Sequence, residues 1–310
     1  MHFIIDTSYT VFYRFHALKI WGGHALKELD GDKLLEAITE KFQEKFISST
    51  IDVCKKAFRE RSLESTTKNS KKTKRPLFKM QDHTFWWCRD ASREDLWRME
   101  LFPDYKSTRE CDSGVGQYFK MGYKLLETFV EQHPNHRMLR HPRLEGDDVV
   151  YLVTQHLVSR KESDDEKQPD INIISSDHDL LQIQGLARQK GQIQFWNCKK
   201  GGTYWDSPTG EWEKDLMRKI IGGDKSDNIP SCLKRIAKKT VDSYVENPSL
   251  LEERLLSWDE TARKTFEINR QIIDFRHIPT QFSDEVQTMI EQCEKCEKYK
   301  KCESTESVKV

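Results

Sequence analysis

The chain is 310 residues long, enough to bury a substantial core, and its 51 basic residues balance 51 acidic ones. That balance removes the simple argument from a basic protein to a nucleic-acid partner, without excluding a basic rim around an acidic site. No apolar run approaches a membrane span, the start Met1 to Asp6 lacks the features of a secretion signal, and eight scattered cysteines make no disulfide framework, so reduced thiols and an intracellular setting are expected.

Phe3-Ile4-Ile5-Asp6 reads as a short apolar strand ending on a carboxylate, and Tyr9 to His16 opens a helix. From about Asp32 to Glu60, Leu34, Leu35, Ile38, Phe42, Phe46, Ile51 and Val53 recur at three- and four-residue steps, an amphipathic helical pattern. Ser65 to Arg75 is polar and lysine-rich, an exposed loop. Its Lys71-Lys72-Thr73-Lys74-Arg75 run reads first as a solvated loop, with nuclear import or DNA contact as alternatives. Phe85 to Arg89 is a second apolar strand, followed by Asp90. Helices are expected over Tyr118–Gln132 and Asp148–Arg160, and a charged loop over 161–170. Ile171 to Ser175 is a third strand leading into Asp177-His178-Asp179, and Ile193 to Trp196 is a fourth. Beyond Trp212 the pattern is helical to roughly Glu291. Strands alternating with helices, then helices alone, predict an α/β domain with a mostly parallel sheet and a helical extension.

Parallel strands buried on both faces read as continuous apolar runs, and ligands bind beyond their carboxyl ends. Three such strands delivering acids to one edge make a negative cluster that needs cations. Glu145-Gly146-Asp147-Asp148 adds three carboxylates at a helix start, where capping alone is an even-odds alternative. Asp177 and Asp179 either begin a turn and cap a helix, or share a cation. Asp224 and Asp227 lie in a turn-forming stretch, Gly222 to Pro230, whose default reading is a plain loop. All-oxygen ligands select magnesium or manganese over zinc, and paired ions of this kind can clamp a phosphodiester and activate water. No histidine pair has metal-ligand spacing. Cys293, Cys296 and Cys302 offer three loosely spaced thiols, so free thiols are favoured over zinc. Trp86, Trp87, Trp196, Trp205 and Trp212 read as core or rim packing, with base stacking by one of them the alternative.

These motifs occur in an order that resembles a known family. Ile5-Asp6 with Tyr13 to His16, Asp90, Phe102-Pro103-Asp104-Tyr105-Lys106-Ser107-Thr108-Arg109, Glu145 to Asp148, Ser176 to Leu181 and Gly223 to Pro230 together resemble the flap endonuclease and 5′–3′ exonuclease family. The resemblance is to its bacterial and phage branch, which includes the 5′-nuclease domain of DNA polymerase I, and runs from Asp6 to about Thr240. It implies a PIN-like 5′-nuclease domain over 1–221, with a basic loop insertion near 62–79 and an arch or clamp near 104–125. A degenerate helix–hairpin–helix extension over 222–292 and a flexible tail over 293–310 would follow.

The resemblance further implies two Mg2+ ions, with Mn2+ as a substitute. Asp6, Asp90, Glu145 and Asp147 would form one metal site. Asp148, Asp177, Asp179, Asp224 and Asp227 would supply the second and its water shell. Tyr105, Lys106 and Arg109 would meet the scissile phosphate, their alternative being a solvated helix face. Arg14 and the basic residues Lys234, Arg235, Lys238 and Lys239 would contact DNA. Arg235 and Ala237 stand where family glycines flank the isoleucine, which puts the backbone-amide contact and a K+ site in question. Direct phosphate pairing by the basic residues would make duplex binding more salt-sensitive.

The expected activity is 5′-flap or 5′–3′ exonucleolytic cleavage of DNA by a monomer, in replication, primer removal or repair. The substrate would be branched, nicked or 5′-single-stranded DNA, with RNA–DNA hybrid an option, in a bacterial or viral cytoplasm or a nucleus. Rival readings are a PIN-type ribonuclease and a catalytically silent DNA-binding subunit.

Overall fold

In the computed structural model the described residues are 1–29, 31–66, 77–108, 115–160, 168–198, 203–205, 210–295 and 301–303. Strands β1 (His2–Asp6), β2 (Thr84–Arg89), β3 (His136–Arg140), β4 (Ile171–Ser175), β5 (Ile193–Asn197), β6 (Thr203–Trp205) and β7 (Lys301–Glu303) form one sheet in the order β6-β5-β4-β1-β2-β3-β7. Every neighbouring pair is parallel except β5 with β6. The chain builds outward from β1 through β2 to β3, then crosses back to β4 on the other flank. The order therefore reverses between β1 and β4, where a parallel sheet opens a crevice at its carboxyl edge.

Alternating side chains give the sheet two buried faces. Phe3, Ile5, Phe85, Trp87, Met138, Ile174 and Trp196 face helices α1 (Thr7–Ala25), α2 (Gly31–Thr66) and α4 (Val115–Gln132). Ile4, Trp86, Cys88, Leu139, Ile171, Ile173 and Phe195 face α5 (Gly146–Ser159), the 3₁₀ segment His178–Leu186 and α10 (Thr280–Lys295). Each large apolar side chain buried this way contributes about 1.5–3 kcal/mol. In α2, Ile38, Phe42, Phe46, Thr50, Cys54 and Ala57 make the buried stripe. Arg61 continues that stripe and ends it with charge.

A short α3 (Arg98–Leu101) follows β2. Helices α6 (Trp212–Gly222), α7 (Lys238–Glu246), α8 (Pro248–Ser257) and α9 (Glu260–Ile273) gather around Ile221, Val241, Tyr244, Leu251 and Trp258. The boundary expected at 221/222 lies within the last turn of α6, and Ile221 packs among these helices. α10 instead returns to the sheet, placing Val286, Met289 and Ile290 in the core beneath α5.

Three strands escaped the sequence reading. β3 alternates buried His136, Met138 and Leu139 with Arg137 and Arg140, so no continuous apolar run marks it. β7 lies within the segment expected as a flexible tail, and β6 is three residues long. Cys54, Cys88, Cys198 and Cys232 are buried thiols outside any disulfide, whereas Cys293 is disulfide-bonded, which corrects the expectation of reduced thiols at that position. The basic loop run 71–75 lies outside the described residues, and α2 extends to Thr66. No helix among the described residues is long and apolar enough to cross a membrane.

Arg61 donates to the carbonyls of Ile171 and Gln192, at 3.0 and 2.8 Å, and to the Asp170 carboxylate at 2.9 Å. It thereby ties α2 to the start of β4. Arg61→Ala leaves buried acceptors unmet and is expected to lower stability by about 3 kcal/mol in denaturant titration. A loss within 0.5 kcal/mol, the order seen for plain surface changes, would contradict that role.

Candidate metal centre

Three strands end at the sheet's carboxyl edge and each hands over a carboxylate. Asp6 closes β1 and caps α1, its Oδ1 accepting from the Tyr9 N–H at 2.9 Å and its Oδ2 from the Ser175 hydroxyl at 2.9 Å. Asp90 follows β2 and accepts from the Gly146 N–H at the start of α5. A Cβ at position 146 would lie 2.8 Å from Asp90 Oδ1, so a larger residue there would shift that carboxylate. Asp177 follows β4 and accepts from the Asp179 N–H at 3.0 Å, capping the 3₁₀ segment.

Glu145 and Asp148 form a reciprocal capping box at the start of α5, with Asp147 between them. The helix dipole favours anions there. Asp148 is expected from the sequence to serve the second metal and its water shell. It is fully buried and held by both terminal nitrogens of Arg98, each at 2.6 Å, so its carboxylate braces the fold and does not line the cavity. Arg98 also reaches Glu145 at 3.2 Å and donates Nε–H to the Ile272 carbonyl at 2.7 Å, joining the sheet domain to the extension. Glu145 further accepts from Tyr105 at 2.8 Å and pairs with the Lys106 ammonium.

The opposite wall is the turn after α6. Gly223 has φ +74°, and a Cβ there would strike the Ile229 carbonyl oxygen at 2.5 Å. Asp224 caps a 3₁₀ turn over Lys225–Asp227 and bridges back to Ile229. Asp227 accepts from Tyr105 at 3.2 Å, and its carbonyl takes the Lys106 N–H at 2.8 Å. Asn228 donates to the Asp104 carbonyl at 2.9 Å and to Ser107 at 2.8 Å. Lys106 and Asn228 both hold left-handed backbone, φ 56° and 60°, a strained state for residues with side chains that the interlocked turns maintain.

Lys106, Glu145, Asp147, Asp177, Asp179 and Asp227 line a cavity of about 80 Å³. Burial raises Asp6 to about 8, with Asp90 the main neighbouring charge. Burial also raises Asp90, assisted by Glu145, and lifts Asp147 well above the carboxylate range, assisted by Asp6, Asp177 and Asp90. Burial opposes ionisation of Glu145 too, but Lys106 and Arg98 prevail and bring it to about 2. Asp179 is raised by burial despite its pairing with Lys219. At the more open Asp224, burial acts upward but Lys219 outweighs it and the carboxyl titrates below its usual range.

Asp179, Asp224 and Asp227 offer oxygens within 4.8 Å of one another. Lys219 bonds Asp179 at 2.5 Å and Asp224 at 2.6 Å, the place a cation would take or share. Hard-oxygen donors with so many carboxyls pushed upward fit divalent cations of the magnesium type.

Other expected residues lie apart. Arg14 is half-buried on α1 beside Tyr13 and outside the cavity lining. Lys234 and Arg235 are exposed in the turn between α6 and α7, and Lys238 and Lys239 are exposed at the start of α7. Arg235 keeps φ 56°, so a left-handed turn survives without glycine. Arg109 lies outside the described residues. Sequence reasoning missed Arg98 and Lys219. A lone arginine between Trp97 and Met99, amid an apolar stretch, was the available signal for the first. Lys219, on a polar helix, offered none.

No family model matches the chain, and no curated protein matches it. Solved structures do match in fold. A bacteriophage T5 5′-exonuclease with zinc ions bound superposes with TM-score 0.54 at 12% identity, covering 94% of this chain and 99% of that one. The phage T5 flap endonuclease in a pseudo-enzyme–product complex with DNA and metal ions gives TM-score 0.53 at 12% identity, covering 95% and 99%. The chain therefore has the α/β fold of the phage-type 5′ nucleases, as its motifs resemble theirs.

A folded-state pKa near 8 for Asp6 means the native protein holds a proton that the unfolded chain loses near 3.8. Stability of the metal-free protein is thus expected to fall as pH rises from about 4 to about 8. Glu145, lowered to about 2, titrates below that window. Denaturant melts in EDTA and in Mg2+ test this. The expected result is a decline with pH that the cation abolishes, and a rise in EDTA through the same window would contradict it.

Proposed function

We propose that the chain is a divalent-cation-dependent 5′ nuclease acting on branched, nicked or 5′-single-stranded DNA. The observation that carries the reading is the convergence of Asp147, Asp177, Asp179 and Asp227 on one cavity that Lys106 also lines, backed by Asp6 and Asp90 at the adjoining strand ends. The fold likeness to a phage T5 flap endonuclease crystallised with DNA and metal ions supports the same reading. Asp6, Asp90, Glu145 and Asp147 would hold one ion, and Asp177, Asp179, Asp224 and Asp227 the other. Paired magnesium ions, when bound, neutralise the phosphodiester and activate water for in-line attack.

The chain's own groups do the rest. Tyr105 holds Glu145 and Asp227 in register by donating to both. Lys106, carried on strained backbone, is free to exchange its Glu145 contact for a phosphate oxygen and to offset charge growing there. Arg109 follows three residues later and would take the same phosphate. Lys234, Arg235, Lys238 and Lys239 would pair with duplex phosphates, and Arg14 would contact the strand nearer α1. Arg98 keeps Asp148 out of metal binding. The products would carry a 5′-phosphate, and primer removal or repair would suit a monomeric enzyme of this kind.

Labelled 5′-flap DNA, matched RNA and Mg2+ or Mn2+ test this directly. The wild-type protein is expected to cleave the flap. Asp177→Asn should abolish cleavage while retaining DNA binding, since it removes a carboxylate near phosphate. Lys106→Ala should slow single-turnover cleavage by about 10²–10³-fold with little loss of binding. Cleavage of RNA alone, or wild-type cleavage by Asp177→Asn, would sink the assignment.

A further inference from the structure

The metal-facing carboxylates are braced from a helix that carries none of them. Ser8 lies in the first turn of α1, two residues after Asp6, and its Oγ accepts the Asp90 N–H at 3.3 Å. The Tyr123 hydroxyl of α4 meets the same Oγ at 2.9 Å. A serine hydroxyl has two lone pairs and one proton. The Ser8 hydroxyl thus joins the Asp90 backbone to the Tyr123 hydroxyl, whichever of the two hydroxyls donates.

The tyrosine is itself fixed. The Arg89 guanidinium, at the end of β2, stacks 3.8 Å from the Tyr123 ring centre and reaches Glu127 on α4 at 3.5 Å. Ser8 is 7% exposed, so little water competes for the relay.

We propose that Tyr123 is a positioning residue for the metal centre, holding Asp90 through Ser8 and so linking α4 to the first cation site. The inference rests on the metal-dependent reading above. Partners in a ligand's outer shell set its orientation and basicity, and their removal weakens metal binding. Because α4 is the next helix after Lys106 in the chain, displacement of α4 is felt at Asp90 through this hydroxyl pair.

Mn2+ binding to the DNA-free protein, followed by the free-ion paramagnetic resonance signal, tests the relay without relying on activity. Tyr123→Phe is expected to weaken Mn2+ binding about tenfold, the low end for outer-shell partners. Ser8→Ala, which keeps every α4 side chain, should weaken it at least as much. Adding Tyr123→Phe to Ser8→Ala should cost nothing further, a coupling that a merely structural tyrosine would not show. Equal binding by wild type and Tyr123→Phe, or full additivity of the two changes, overturns the inference alone. A wild-type protein that binds no Mn2+ overturns the metal reading and this inference with it.

Discussion

The governing constraint is the repulsion among carboxylates packed into a buried crevice. Carboxylates brought together out of water cannot all stay ionised unless positive charge enters with them. The chain supplies part of that charge itself. Arg98 and Lys106 neutralise Glu145 and Asp148, and Lys219 neutralises Asp179 and Asp224. Asp6, Asp90, Asp147 and, despite Lys219, Asp179 are left raised. The internal cations thus offset part of the cluster's charge, wholly at the Arg98-held Asp148, and leave the rest for an external cation.

Backbone geometry holds this division in place. The 102–108 segment and the 224–229 turn are separated by more than a hundred residues, yet each supplies the other's hydrogen-bond partners through Lys106, Asp227 and Asn228. Two non-glycine residues stay left-handed as a result. Such strain persists only where surrounding structure over-determines it, and it gathers at working sites. Here it aims the Lys106 ammonium at the cavity that the carboxylates line.

Much of this was legible in the sequence because the strand code is local. Continuous apolar runs ending at Asp6, Asp90 and Asp177 announced buried parallel strands and the edge they share. The acidic start of α5 and the glycine-marked turn before Asp224 were equally visible. What escaped depends on distant partners. Asp148 looks identical to Asp147 in sequence, and only Arg98, fifty residues earlier, turns it inward. Lys219 reads as a solvated helix residue until the turn that follows folds Asp224 against it. β3 was hidden by its arginines, and the return of α10 to the sheet by an amphipathic pattern that any neighbour would satisfy.

The central claim is that the acidic side chains form a paired-cation site, and anomalous diffraction from crystals soaked in Mn2+ tests it most directly. The account predicts peaks about 4 Å apart, one bordered by Asp6, Asp90 and Asp147 and the other by Asp179, Asp224 and Asp227. Density in neither position, or manganese held only by surface acids elsewhere, would contradict it.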